Sequence, residues 1–194
     1  MAAPVSAFEF FFTLFGLILG LAVAVVIGGL SDLLRARNHI PIGRLTPMLA
    51  VVVLFDVAAA WISTWTGLSD VRVAHGPFFA ALVVAGLYFF AASMVFPKDD
   101  GEWASLDDYY MGHRRAVLGS LLAANIGVVA IEAATAGRWM AIIDHFARTG
   151  PASALWWLIL TLLVVIPGRR FQRVGLGLLL LIDAYAAVAL WNPQ

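Results

Sequence analysis

Three polar residues interrupt stretches that are otherwise fit for hydrocarbon. Asp56 stands within Val51–Trp65, Asn125 within Ala116–Ile131, and Asp183 within Gly177–Leu190. Asp56 lies 12 residues past Arg44 and 14 before Asp70, while Asp183 and Asn125 each lie 10 past a basic residue, Arg173 and Arg115. All three therefore fall near one level, the middle of a lipid bilayer. A charged side chain there costs about 2.5–3.5 kcal/mol on insertion scales, so such a residue faces a bundle interior or a wet path. A carboxyl at that depth is neutral, partnered or hydrated. If Asp56 and Asp183 face each other, one shared proton is the expected arrangement, with Asn125, Thr64, Thr161 or Tyr185 completing the hydrogen bonds. Two uses follow from this: binding or relay of a proton or cation, and simple attachment of one helix to another at around 0.6 kcal/mol per bond. Glu132, farther along the same run as Asn125, is a further candidate for proton binding or transport, and Glu9 marks the start of the first run.

A second cluster, Asp107, Asp108, His113, Arg114 and Arg115, lies in the segment from Gly101 to Arg115. His113, Arg114 and Arg115 could hold a lipid phosphate or do acid–base work. The competing assignment is a solvated helix start whose basic residues anchor it at the headgroups. Zinc-protease, serine-hydrolase and nucleotide-binding signatures are absent from the sequence. With no cysteine, disulfides and thiolate chemistry are excluded. No catalytic residue, metal site or cofactor is expected, and the zero net charge gives no reason to expect a nucleic-acid partner.

The elements that must position these groups are membrane helices. Of the 194 residues, 62% are hydrophobic and 12% charged, and the mean hydropathy is +0.93. A soluble domain carries roughly 25% charged residues. Apolar runs long enough to cross about 30 Å of hydrocarbon occur at about 8–30, 45–67, 76–97, 108–136, 152–167 and 174–191. The expectation is a single integral membrane domain over 1–194, an all-α bundle of six transmembrane helices, whose first run is retained rather than cleaved as a signal. The fifth run is short and ends at Pro167-Gly168.

Basic residues concentrate on one face: Arg35, Arg37, Arg44, Lys98, Arg114, Arg115, Arg169, Arg170 and Arg173, against Arg72, Arg138 and Arg148 on the other. That asymmetry places the first set in the cytoplasm and both termini outside. Trp65, Trp139, Trp156, Trp157 and Trp191 are expected at the outer headgroups. Ser105 followed by Asp108 resembles a capping box opening the fourth helix. The spacing of Met140, Ile143 and Phe146 suits a short helix lying in the outer interface.

Helix one repeats small residues at Gly16, Gly20, Ala24 and Gly28, a stripe that admits another backbone at close range and suits a homodimer. Gly119, Ala123 and Gly127 repeat the pattern in helix four, which suggests a weak 3+3 inverted repeat like that of many transporters.

Phe8 to Phe10, Gly16 to Ala22, Gly29 with Leu33 to Arg37, the pair Trp61 and Trp65, and Tyr109-Tyr110 with Arg114-Arg115 resemble a group of small six-span bacterial inner-membrane proteins to which no function is assigned. The resemblance implies a bacterial inner (plasma) membrane location and adds no chemistry. Three functions fit these features. One is a small transporter or channel moving a proton, cation or small solute past the midplane acids. Another is a non-catalytic membrane subunit or scaffold that docks partner helices, and the third is an enzyme modifying lipid headgroups.

Overall fold

A computed structural model describes residues 7–36, 43–68, 75–98, 103–137 and 140–189. Those residues form helices only: α1 (Ala7–Ala36), α2 (Leu45–Leu68), α3 (His75–Ser93), α4 (Leu106–Ala136), α5 (Met140–Val165) and α6 (Arg169–Ala189). Five of them are long and apolar enough to cross a membrane, and α5 contributes a shorter apolar helix, Gly150–Val165. The chain is built as a helical membrane protein.

Helix ends fall where local chemistry sets them. Ser105 caps α4 from extended backbone, accepting from the Asp108 N–H at 3.2 Å while its hydroxyl donates to the Asp108 carboxylate at 2.5 Å. The N-cap half of the capping box expected from the sequence is therefore made, while the Asp108 carboxylate takes the Ser105 hydroxyl and not its backbone N–H. At the other end Gly137 takes the left-handed conformation, φ 65°, that closes many helices. Within α5 the backbone breaks at Gly150, φ 78° and ψ 178°, immediately before Pro151. The break separates a short helix at 140–149 from the apolar helix Gly150–Val165.

The first turn of α4 ties down its neighbours at the basic end of the bundle. The four leading N–H groups and four trailing carbonyls of any helix lack partners within it. Asp107 Oδ1 accepts from the Leu45 N–H at 2.9 Å, capping α2, and the Thr46 hydroxyl returns a bond to the Leu106 carbonyl at 2.8 Å. The Tyr109 hydroxyl donates toward the carbonyls of Met94 and Phe96 just past α3, at 3.1 and 3.2 Å. Asp108 pairs with Arg169 at the start of α6. Tyr110 donates to the side-chain oxygen of Gln172. The Gln172 amide in turn donates to the carbonyls of Leu163 and Ile166 at 2.8 Å each, so the end of α5 is capped from α6.

Above that end, α2 and α4 run parallel at the centre, with α2 against α1 and α6, and α4 against α3 and α5. Glycines mark close approaches. A β-carbon on Gly127 would come within 2.6 Å of Val84 in α3, and one on Gly175 within 2.5 Å of Leu163 in α5. Among the described residues α1 packs on α3, whereas α4 and α6 are not a packed pair. The pairings of the two halves therefore differ, and the expected 3+3 repeat does not show in them.

Gln172 is completely buried, so removing its amide strands two carbonyls and a hydroxyl where no water replaces it. Gln172→Leu is expected to cost about 2–4 kcal/mol, measured by reversible unfolding in mixed micelles. A loss within about 0.5 kcal/mol of zero would show that this cap is dispensable.

Candidate functional site

The α2–α4 interface carries polar groups at two levels in one register. Asn125 in α4 donates from its side-chain nitrogen to both oxygens of Asp56 in α2, at 3.1 and 2.9 Å, and to its own helix at the Leu121 carbonyl, 3.0 Å. Seven residues farther along both helices, the Ser63 hydroxyl points at Glu132 Oε1, 3.5 Å away. Each contact joins residues 69 positions apart, as parallel helices in a fixed register require. A seven-residue step keeps the same face of each helix turned to its partner and advances about 10 Å along the axis at ~1.5 Å per residue. The two stations are stacked along one seam.

Asp56 is 6% exposed and Tyr88 of α3 is buried close enough to feel its charge. No lysine, arginine or histidine pairs with Asp56 among the described residues. Asp183 lies within electrostatic reach of Asp56, yet the two carboxyls do not share a hydrogen bond. That corrects the expected proton-sharing pair. Asp183 turns instead toward α5, where the Trp156 indole lies beside it. Asp183 Oδ2 and Trp156 Nε1 are both buried without a bond of good geometry.

Other expected partners stand elsewhere. Thr161 bonds its own helix at Trp157, Tyr185 is exposed, and Thr64 lines a small cavity near Glu132. Trp156 is buried in the bundle, while Trp65 is half exposed. Adjacent helical residues point about 100° apart, so of the neighbours Trp156 and Trp157 one turns inward. Trp139 and Trp191 lie outside the described residues.

At the second station Glu132 also meets His145, whose Nδ1 is 3.0 Å from Glu132 Oε2, with the two side chains only 11% and 10% exposed. His145 belongs to the short helix at 140–149, which does exist, with Met140 and Ile143 on its outer side. Sequence reasoning missed the inward turn of His145. Ser63 and Gln172 were missed as well. The signal for Ser63 was its seven-residue offset from Asp56, the same offset that separates Glu132 from Asn125.

The cluster at the start of α4 does not assemble one binding site from His113, Arg114 and Arg115. His113 stacks on Tyr109 at 4.3 Å and meets Trp103 edge-on at 5.4 Å, with its Nδ1 held by the Tyr109 carbonyl at 3.1 Å. Arg114 is buried, donating to the Met111 carbonyl at 2.9 Å with its Nε unpaired, while Arg115 is exposed. These side chains enter three different environments. Asp107 and Asp108 are engaged in capping and pairing. Among the described residues no group of three or more histidine, aspartate or glutamate side chains could hold a metal ion.

Of the helix-one stripe, Gly16 meets Trp61 of α2, 3.3 Å from where its β-carbon would be. Gly20, Ala24 and Gly28 face away from the bundle, with nothing within 4 Å of a β-carbon at either glycine. No family model matches this chain, and neither a curated protein nor a solved structure matches it.

A double-mutant cycle on Asp56→Ala and Asn125→Ala is expected to return a coupling of about 0.6–1.7 kcal/mol, the range of interhelical bonds inside membrane proteins. Additive losses would show that the two side chains do not bond.

Proposed function

We propose that this chain is a small transporter or channel that carries a proton or monovalent cation along the α2–α4 seam, with Asp56 as the central exchange site and Glu132 as the second. The observation that carries this is the stacking of two buried carboxyls, each met by a neutral polar side chain of the partner helix, one heptad apart on parallel helices. A group that served only to attach α2 to α4 needs no second acid and no histidine. Asp183, beside Asp56 on the α6 side, adds a third carboxyl within electrostatic reach. Asn125 can donate to an ionised Asp56, so the carboxylate survives between arrivals of a proton. In this reading Gly150–Val165 completes a sixth crossing. The basic end faces the cytoplasm of a bacterial cell, and both termini lie outside.

The decisive measurement is flux into liposomes holding the purified chain, followed with a pH-sensitive dye under an imposed gradient. Asp56→Asn keeps the shape and one of the two bonds accepted from Asn125 but cannot exchange a proton, and is expected to lower flux at least about tenfold. Wild-type flux in that variant would refute the assignment.

The outward stripe of α1 favours a second reading, a membrane subunit that associates with a copy of itself. Gly20, Ala24 and Gly28 leave open space on the lipid-facing side of α1, flanked by exposed Leu17, Leu21 and Val25. Small residues in that pattern allow helices to approach closely in lipid. Gly20→Leu with Gly28→Leu is expected to reduce dimers in liposomes about tenfold, counted by single-molecule photobleaching. An unchanged dimer fraction would remove α1 as the interface.

A further inference from the structure

We infer that the short helix at 140–149 is a hinged lid, latched by His145 on Glu132, that closes the end of the seam opposite the basic face. The hinge is Gly150, whose φ of 78° and ψ of 178° belong to a region that residues with a β-carbon avoid. Nothing lies within 4 Å of where its β-carbon would be, so the glycine is required by backbone shape and not by crowding. Pro151 follows and frees one more backbone group at the same point. The short helix can therefore swing while the backbone of Gly150–Val165 stays in place, parting the Phe146 ring from Trp157, which it meets edge-on at 5.6 Å.

Its inner side carries the latch. His145 is 9% exposed although its helix lies at the rim of the bundle, and its ring nitrogen meets Glu132 at 3.0 Å. Behind Glu132 lies a cavity of about 10 Å³, lined by Phe15, Thr64, Ala81, Val84, Ile131 and Glu132, where α1, α2, α3 and α4 converge. That is room for roughly one water, with the Thr64 hydroxyl and the Glu132 carboxylate as its polar partners. Glu132 thus stands between a water-sized space inside and the lid outside. A groove of about 520 Å³ runs between α4 and the two parts of α5, lined by residues including Val129, Ala133, Ile142, Phe146 and Trp157.

Breaking the latch opens the cavity to water from that face alone. The lid takes its purpose from the transport assignment, but it is tested here without any flux, so either can fail while the other stands. The absence of cysteine from the chain makes the measurement direct. Thr64→Cys is labelled with a membrane-impermeant thiosulfonate added to one face of vesicles at a time. With the latch intact, labelling is expected to be slow from both faces. Adding His145→Ala, or Gly150→Ala, which strains the closed hinge, is expected to raise the rate about tenfold from the lid face only, the population change that follows from losing one charge-assisted hydrogen bond. Ala81→Cys reports on the same cavity from α3 and is read in parallel, in case a cysteine at position 64 disturbs the fold. Unchanged rates at both positions overturn the lid. So does equal acceleration of Ala50→Cys, fully buried toward the basic end, because the variants would then be loosening the whole bundle.

Discussion

Hydrocarbon offers no hydrogen bonds, and every other feature of this molecule answers to that constraint. A polar group that water would satisfy at a surface must find its partner within the chain. The bundle meets this demand in two distinct ways. At the basic end one helix turn supplies acceptors and donors to the unfinished ends of its neighbours. In the interior, polar side chains are arranged in two stations where α2 and α4 meet, with Asp183 of α6 turned toward α5.

The capping at the basic end and the acids in the seam lie on the same pair of helices. Asp107 fixes α2 against α4 lengthwise by holding the Leu45 N–H. That contact joins residues 62 positions apart, whereas farther up, where Asp56 meets Asn125 and Ser63 meets Glu132, the offset is 69. A shift of one residue would turn Asp56 about 100° away from Asn125. The segment from Asp107 to Tyr110 thus has a structural use that accounts for its polarity, and the chemistry belongs to the seam above it.

Much of this was legible in the residues. Long apolar runs with few charges give the helices directly, because only a helix satisfies its own backbone in lipid. The structure places the first run at Ala7–Ala36 and ends the third at Ser93, where the apolar runs alone suggest about 8–30 and 76–97. Apolarity does not report the cap, and polar residues extend or shorten a helix past the hydrocarbon edge. Asp56 and Asn125 were readable as partners from their shared depth. Depth alone could not tell Asp56–Asn125 from Asp56–Asp183, since that choice rests on how each helix is rotated about its axis. Rotation also decided Trp156, His145 and Gln172, each buried between sequence neighbours that are more exposed. The stripe on α1 was legible as a pattern, but only the packed bundle shows that Gly16 is used internally while Gly20, Ala24 and Gly28 are left facing out.

The arrangement around the first turn of α4 also bears on how the molecule is made. A ribosome delivers α1, α2 and α3 before α4 exists, and for that interval the Leu45 N–H and the carbonyls of Met94 and Phe96 have none of the partners they later acquire. Those groups lie at the basic rim, where headgroups and water can serve them temporarily. The finished architecture is then assembled late and from the middle of the chain, with α6 arriving last to deliver Gln172 to Tyr110 and to the exposed end of α5. A nascent chain halted before residue 106 would consist of three inserted rods without a keystone.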